Sequence, residues 1–155
     1  MFKINRQTDY AIRVVLALAK QPEDSRLSTA EIQQATLVPH AFLQRIVADL
    51  ARAGLLLTFP GRDGGLQLAH ASSAITLKDV MEAIEGPMVI SDCLVSPEPC
   101  PLDTPCPVQA CWGRLQQVIL RELNSINFEQ LVRDTHTNFS QSHQNILSTL
   151  GMTTG

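Results

Sequence analysis

Four cysteines constrain this chain more than any other feature, because they fall in a proline-rich stretch that no regular helix or strand can cross. Cys93, Cys100 and Cys106 are spaced C-x6-C-x5-C, and Cys111 follows, so all four lie within 19 residues. The cysteines therefore divide the chain into a patterned segment of some 90 residues before them and one amphipathic stretch after them.

Composition limits the class of protein. A chain of 155 residues that is 45% hydrophobic can bury a core as one domain, or as a small domain with an appendage. The N-terminal segment lacks the apolar run and cleavage site of a secretory signal, and no apolar stretch reaches the roughly 18 residues of a membrane helix. We therefore expect a cytoplasmic protein with no membrane partner, in which thiols stay reduced. In that compartment, crowded cysteines indicate metal or redox chemistry before disulfides.

Charge is distributed unevenly along the chain. Residues 1–70 hold eight Lys and Arg against six Asp and Glu, whereas residues 71–155 hold four against nine, which together give the net charge of −3. The basic bias of the first segment favours contacts with phosphate there.

Periodic apolar residues predict three helices in the first segment. Asn5 can cap a helix that runs to about Lys20, and the capping box Ser28–Glu31 opens a short second helix. Pro39 suits the first position of a third helix, which ends at Gly54. A short helix, a tight connection and a longer helix are typical of a helix-turn-helix. The predicted apolar face of the third helix is Phe42, Leu43, Ile46, Val47 and Leu50.

Two short strands are predicted next, at 55–59 and 66–69, joined by the glycine-rich segment 60–65. A helix-turn-helix followed by a hairpin is a winged helix, and the alternative is a generic small α+β domain. Thr76 opens a fourth helix that ends at Gly86 and Pro87.

A long helix is predicted after the cysteines, since large apolar residues recur there at steps of four and three. This spacing favours packing on a partner helix in a homodimer, and the alternative is packing within one chain. The expected fold is mostly α with a small β wing: a winged helix-turn-helix domain plus a long dimerisation helix. The predicted divisions are the winged helix at residues 1–87, the cysteine loop 88–107, the dimerisation region 108–135 and a flexible tail 136–155. The dimerisation seam is Val108, Trp112, Leu115, Ile119 and Leu123, with Ile126 beyond it.

A helix-turn-helix reads base edges of double-stranded DNA with polar side chains near the start of its second helix. The predicted readers are His40, Gln44 and Arg45, with Arg62 at the wing tip. Ser28 and Thr29, at the start of the second helix, are predicted to donate to phosphate. Each of these residues has a plain alternative as a solvated surface residue. A two-fold dimer would place two such surfaces on a palindrome-like operator.

Thiolates suit both iron–sulfur clusters and zinc. Small zinc sites usually place about two to four residues between paired cysteines, and here only Cys106 and Cys111, with four residues between them, come that close. The spacing by itself leaves a cluster, zinc or bare thiols open. No Ser/His/Asp set, Walker loop or nucleotide fingerprint supports an enzyme.

Four features together resemble the winged-helix iron–sulfur regulator family that includes IscR and NsrR. They are the first-helix segment Thr8–Arg13, the wing Gly61–Gly65, the C-x6-C-x5-C spacing, and Trp112 six residues after Cys106. The resemblance implies a DNA-binding transcription regulator whose operator affinity is controlled by a 4Fe–4S or 2Fe–2S cluster. The signal would be nitric oxide, redox state or iron status. The alternative is an iron–sulfur electron-transfer protein.

The resemblance also implies the metal ligands Cys93, Cys100 and Cys106. IscR-type members have a histidine three residues after the third cysteine, where Gln109 stands here. NsrR-type members use an aspartate from the partner subunit's first helix, and Asp9 occupies the matching place. Asp9 could instead only favour the dipole of its own helix.

Other positions depart from the family pattern. The first cysteine interval is one residue longer than the commonest one, and Cys111 is an extra thiol that we expect to be packed and inert. Pro60 stands where the family's wing carries an arginine, and Arg62 is the expected substitute.

Overall fold

Side-chain caps fix where three helices begin, as predicted. In the computed structural model, which describes residues 3–96 and 106–135, the side-chain oxygen of Asn5 accepts a hydrogen bond from the N–H of Thr8 at 2.8 Å. Ser28 and Thr76 each form a complete capping box. The helices of the described residues are α1 (Arg6–Ala19), α2 (Thr29–Thr36), α3 (His40–Arg52), α4 (Leu77–Glu85), α5 (Pro107–Ser125) and α6 (Phe128–Thr135).

The turn between α2 and α3 depends on one residue in the left-handed region. Leu37 has a φ of 56°, which reverses the chain after α2, and its side chain is 82% exposed. The third helix begins at His40, one residue later than predicted, with Pro39 as the residue before its first turn. The predicted helix-turn-helix is therefore confirmed, with a boundary shift of one residue.

A wing of two antiparallel strands follows α3. Strand β1 (Leu56–Phe59) pairs with β2 (Gly65–Leu68), so that Leu56 lies opposite Leu68 and Phe59 opposite Gly65. Leu27, just before α2, exchanges two backbone hydrogen bonds with Leu66 of β2. The hairpin is thus tied to the helix-turn-helix instead of projecting alone.

The core lies between α1 and the elements that surround it. Helix α1 packs against α2, α3, α4 and α6. The apolar stripe of α1, formed by Ala11, Val14, Val15 and Leu18, is buried, and so are the inner faces of α2, α3 and α4. Fully buried side chains from these helices include Val14, Val15, Ile32, Leu43, Ile46, Leu50 and Val80.

Helix α6 returns to this core from the far end of the chain. Phe128 is 0% exposed, and its N–H donates to the carbonyl of Ile75 at 3.1 Å. The N–H of Leu77 donates in turn to the carbonyl of Ile126 at 2.9 Å. No local pattern in the sequence places Phe128 in the core.

Phe42 is not part of the core, contrary to the face predicted for α3. Its side chain is exposed, and its ring meets Tyr10 edge-on with centroids 5.6 Å apart. Phe42 comes one position before Leu43, which turns its side chain about 100° around the helix from Leu43 and toward Tyr10 of α1.

The fold is mostly helical with a small β wing, as predicted. Among the described residues, no helix is both long and apolar enough to span a membrane. The predicted division into four segments stays a prediction, and its tail 136–155 lies outside the described residues.

Candidate nucleic-acid interface and metal centre

The first turns of α3 present their polar side chains to solvent. His40, Gln44 and Arg45 are all exposed, while Leu43 and Ile46 on the opposite side of the helix are fully buried. Because burial fixes the rotation of α3, the three polar side chains are held on one outward face. An amide, an imidazole and a guanidinium at the start of an exposed helix can make hydrogen bonds to base edges.

The start of α2 already holds a carboxylate. The N–H and the hydroxyl of Ser28 each donate to Glu31 Oε2 at 2.7 Å, and the N–H of Glu31 donates to Ser28 Oγ at 3.2 Å. The hydroxyl and the backbone donor of Ser28 lower the pKa of the Glu31 carboxyl. Because the pKa is lowered in the folded chain, the hydrogen bonds between Ser28 and the Glu31 carboxylate stabilise the fold at neutral pH. This stabilisation is lost as acid protonates the carboxylate.

The capping box also bears on the predicted phosphate contact. The donors of Ser28 are used by Glu31, so a phosphate at this helix end would have to displace a carboxylate of the same sign. Thr29 is exposed at the same end. Its hydroxyl is the less obstructed of the two predicted donors.

The wing loop carries Arg62 in the open. Arg62 lies between β1 and β2 and is exposed. The loop needs glycine at position 64, because a Cβ there would lie 2.1 Å from the carbonyl oxygen of Phe59. The tight turn therefore presents Arg62 at the tip of a hairpin that is anchored to Leu27.

Asp9 lies in the first turn of α1 and is half exposed. Its Oδ2 is 2.8 Å from Arg13 Nη2, one helical turn further on. The neighbouring Thr8 is fully buried, and its hydroxyl donates to the carboxylate of Glu85 at the end of α4. No local pattern signals this contact, since it joins residues 77 positions apart.

Two of the three predicted cysteine ligands lie at the head of α5. Cys106 is the residue before the first turn of that helix. Cys93 sits in a 3₁₀ turn, Asp92–Leu94, whose Cys93 carbonyl accepts a hydrogen bond from Gln109 Nε2 at 2.9 Å. The Cys93 sulfur lies 3.1 Å from the Ser91 hydroxyl. Both thiols are free and partly exposed, which is the state a metal ligand requires.

The other donors are not gathered with these two. Among the described residues, no three His, Cys, Asp or Glu side chains lie close enough together to hold a metal ion. Cys100, the third predicted ligand, lies outside the described residues. Cys111 is exposed on α5, so the expectation that it is packed is wrong for a single chain.

Helix α5 has no buried residue along its 19-residue length. The exposed fractions of Val108, Leu115 and Val118 are 52%, 44% and 57%, and Trp112 is also exposed. Ile119 is half-buried, and Leu123 turns toward a groove shared with α4. Sequence reasoning missed Val118, because that residue lies beside the heptad positions and not on them.

Gln109 is the other residue that sequence reasoning missed. It was noted only as the absence of a histidine, and its bond to Cys93 crosses 16 positions. The available signal is that Gln109 stands at the position where IscR-type members carry a histidine.

Comparison with protein families gives one match over nearly all the described chain. The profile of the Rrf2 family, described as "Iron-dependent Transcriptional regulator", matches residues 4–134. Protein aau3 of Rhizobium meliloti (strain 1021) is 33% identical over 133 residues, which cover 84% of this chain and 85% of that protein. Protein rrf2 of Nitratidesulfovibrio vulgaris is 27% identical over 132 residues, covering 85% and 88%.

Solved structures show the same architecture. CymR, the global cysteine regulator of B. subtilis, is similar with a TM-score of 0.70 at 26% identity, covering 89% of this chain and all of that one. IscR of T. potens gives a TM-score of 0.68 at 20% identity, covering 93% and 96%. At this identity, the similarity to IscR supports the fold and nothing further. The CymR and IscR structures both confirm the predicted winged-helix architecture.

Proposed function

Since this chain belongs to the Rrf2 family of transcriptional regulators, we propose that it acts in the cytoplasm as a homodimer whose affinity for operator DNA is controlled by an iron–sulfur cluster. The observation that carries the proposal is the pair of free thiols, Cys93 and Cys106, at the head of a long helix that one chain leaves unburied. The family match leaves the electron-transfer alternative without support, because its members are regulators.

The proposed ligands are Cys93, Cys100 and Cys106 of one subunit and Asp9 of the partner subunit. The donor chemistry fits, since thiolates suit iron–sulfur clusters and a carboxylate is a weaker, exchangeable oxygen ligand. Asp9 is half exposed, and its Arg13 partner lies on the surface, so the carboxylate can be reached from outside its own chain. The head of α5 adds the positive end of a helix dipole, which favours anionic groups there.

A bound cluster of this kind would react with nitric oxide, oxygen or cellular oxidants, and so supply the signal. The residues that bind the cluster would make the affinity for operator DNA depend on whether the cluster is present. A ligand taken from the partner's α1 joins two helix-turn-helix units across the dimer. Releasing that ligand would let the two reading helices move relative to each other and spoil their simultaneous engagement of two half-sites.

The proposed dimer uses the exposed seam of α5. Replacing Leu115 with glutamate places a charge at the centre of that seam, where a dimer would have to bury it without a partner. We expect Leu115→Glu to be a monomer at micromolar concentration in sedimentation, while wild type is a dimer. Gln117→Glu, with the same charge on the opposite side of α5, should remain dimeric. A dimeric Leu115→Glu protein, or a monomeric wild type, would place the interface elsewhere.

DNA binding is tested by mobility shift on the gene's own promoter at several salt concentrations. We expect Gln44→Ala to change base preference by about 1–3 kcal/mol at one position, because an amide reads a base edge. We expect Arg62→Ala to weaken all sequences alike and to reduce the salt slope by about 1, as loss of one phosphate contact does.

Arg133→Ala is the matched control, since it removes the same charge from α6, where Arg133 pairs with Glu129. Its affinity should equal that of wild type. Unchanged affinity and preference in both Gln44→Ala and Arg62→Ala would show that the reading surface is not the exposed face of α3 and the wing tip.

A further inference from the structure

Gln109 contacts the backbone of the first cysteine and leaves its sulfur free. The side-chain amide of Gln109 donates to the carbonyl oxygen of Cys93 at 2.9 Å. The sulfur itself has only the Ser91 hydroxyl within hydrogen-bond distance among the described residues. A neutral amide that binds the carbonyl can therefore hold the turn in place without competing for the thiol.

The same face of α5 holds the chain at two further points. A Cβ built on Gly113 would lie 3.9 Å from Leu94 Cδ2, so the leucine packs directly over this glycine. One turn lower, the side-chain oxygen of Gln116 accepts from the N–H of Ile90 at 3.1 Å. Positions 109, 113 and 116 follow one another at steps of four and three, which places them on one face of the helix.

The direction of these contacts determines where Cys93 lies. The segment from Ile90 to Cys93 runs antiparallel to α5. Ile90 lies beside Gln116, and Cys93 lies beside Gln109, nearer the start of the helix. Cys106 is three residues before Gln109, so its backbone is about 4.5 Å further along the helix axis. Cys93 therefore lies near the end of α5 at which Cys106 precedes the helix, although the two cysteines are 13 positions apart in the sequence.

We propose that Gln109 is a positioning residue for the metal centre: its amide fixes the first thiol beside the third at the head of α5. The inference rests on the proposed cluster and assigns to Gln109 a role other than that of a ligand. Two ligands held in place before binding lose less conformational freedom when the metal binds. Groups that orient ligands in this way typically change metal affinity by about 10–100-fold when removed.

The test compares Gln109→Met with Gln117→Met, a substitution of the same kind at an exposed position of α5 that lies about two turns further along and about 80° around the helix from Gln109. Methionine keeps the length of the side chain and removes the donor. Both proteins and wild type are purified without oxygen, and iron release to a ferrous chelator is followed by the loss of visible absorbance. We expect Gln109→Met to release iron about ten times faster or more, with an altered visible circular dichroism spectrum, while Gln117→Met matches wild type.

A second arm uses the metal-free proteins. Alkylation of each cysteine is timed by mass spectrometry, and we expect Cys93 to react several-fold faster in Gln109→Met than in wild type, with Cys111 unchanged. Gln116→Met, which removes the lower contact to Ile90, should give a smaller change of the same sign. The thermal unfolding midpoint, measured beside both arms, separates a local loss of positioning from general destabilisation.

The outcomes separate this inference from the proposed function. Wild type that holds no iron after anaerobic purification would contradict the cluster, and the alkylation arm would still decide the position of Cys93. Wild type with a cluster, together with wild-type iron release and Cys93 reactivity in Gln109→Met, would overturn the role of Gln109. Equal effects of Gln109→Met and Gln117→Met would do the same.

Discussion

Cys93→Ala and Cys106→Ala proteins are expected to retain almost no iron after anaerobic purification, whereas Cys111→Ala retains the wild-type amount. The reason is that iron in a cluster needs thiolate ligands. Cys93 is held beside the first turn of α5 by Gln109, and Cys106 directly precedes that turn, while Cys111 lies further along the helix. Cys100→Ala should behave like the first two. Iron and sulfide counts per chain, with a visible spectrum, measure the result.

Cys111→Ala is the matched control, because it removes the same thiol from the same region. Mobility shifts with these proteins extend the test to DNA: Cys93→Ala and Cys106→Ala should lose the difference in operator affinity between cluster-loaded and chelator-treated protein, and Cys111→Ala should keep it. An iron-free Cys111→Ala protein, or a Cys93→Ala protein with a full complement of iron, would contradict the proposed ligand set.

Phe128→Ala should cost about 3–5 kcal/mol of unfolding free energy, because it empties a fully buried aromatic site. Phe128 is the point at which α6 enters the core. Its own N–H donates to the carbonyl of Ile75, and Ile126, two residues earlier, accepts from the N–H of Leu77. Since a domain of this size is stable by about 5–15 kcal/mol, the loss should move the urea midpoint markedly downward.

Gln130→Ala, two residues further along α6 and exposed, should change stability by less than about 0.5 kcal/mol. All variants are compared at one protein concentration, since a dimer's apparent stability depends on it. A cost below about 1 kcal/mol for Phe128→Ala would mean that α6 contributes little to the core in solution.

Local patterns in the sequence were sufficient for the winged helix. The caps at Asn5, Ser28 and Thr76 and the glycine-rich wing each act over a few residues, so they can be recognised without knowing the fold. The same is true of the buried stripes of α1 and α3. The prediction for Phe42 is wrong because the apolar face of α3 is broader than the part of it that is buried. Phe42 lies at the edge of that face and contacts Tyr10 instead of the core.

The contacts that could not be predicted all join residues that are far apart in the sequence. Phe128 reads as one apolar residue in a short amphipathic segment, and only the path of the chain brings it under α1. Gln109 reads as a surface glutamine until Cys93 is placed beside it. The family resemblance, and not the cysteine spacing alone, implies which thiols act together, and neither says which element holds them.

The different attachment of the two ends of α5 has a mechanical consequence. Its C-terminal end is held by backbone bonds between Leu77 and Ile126 and by the buried ring of Phe128, whereas its head is held by the side chains of Gln109 and Gln116. The helix is about 28 Å long and is held more firmly at its C-terminal end than at its N-terminal end. A displacement of about 1 Å at the cysteine end would turn it by about 2°, and any partner seated along its length would swing with it.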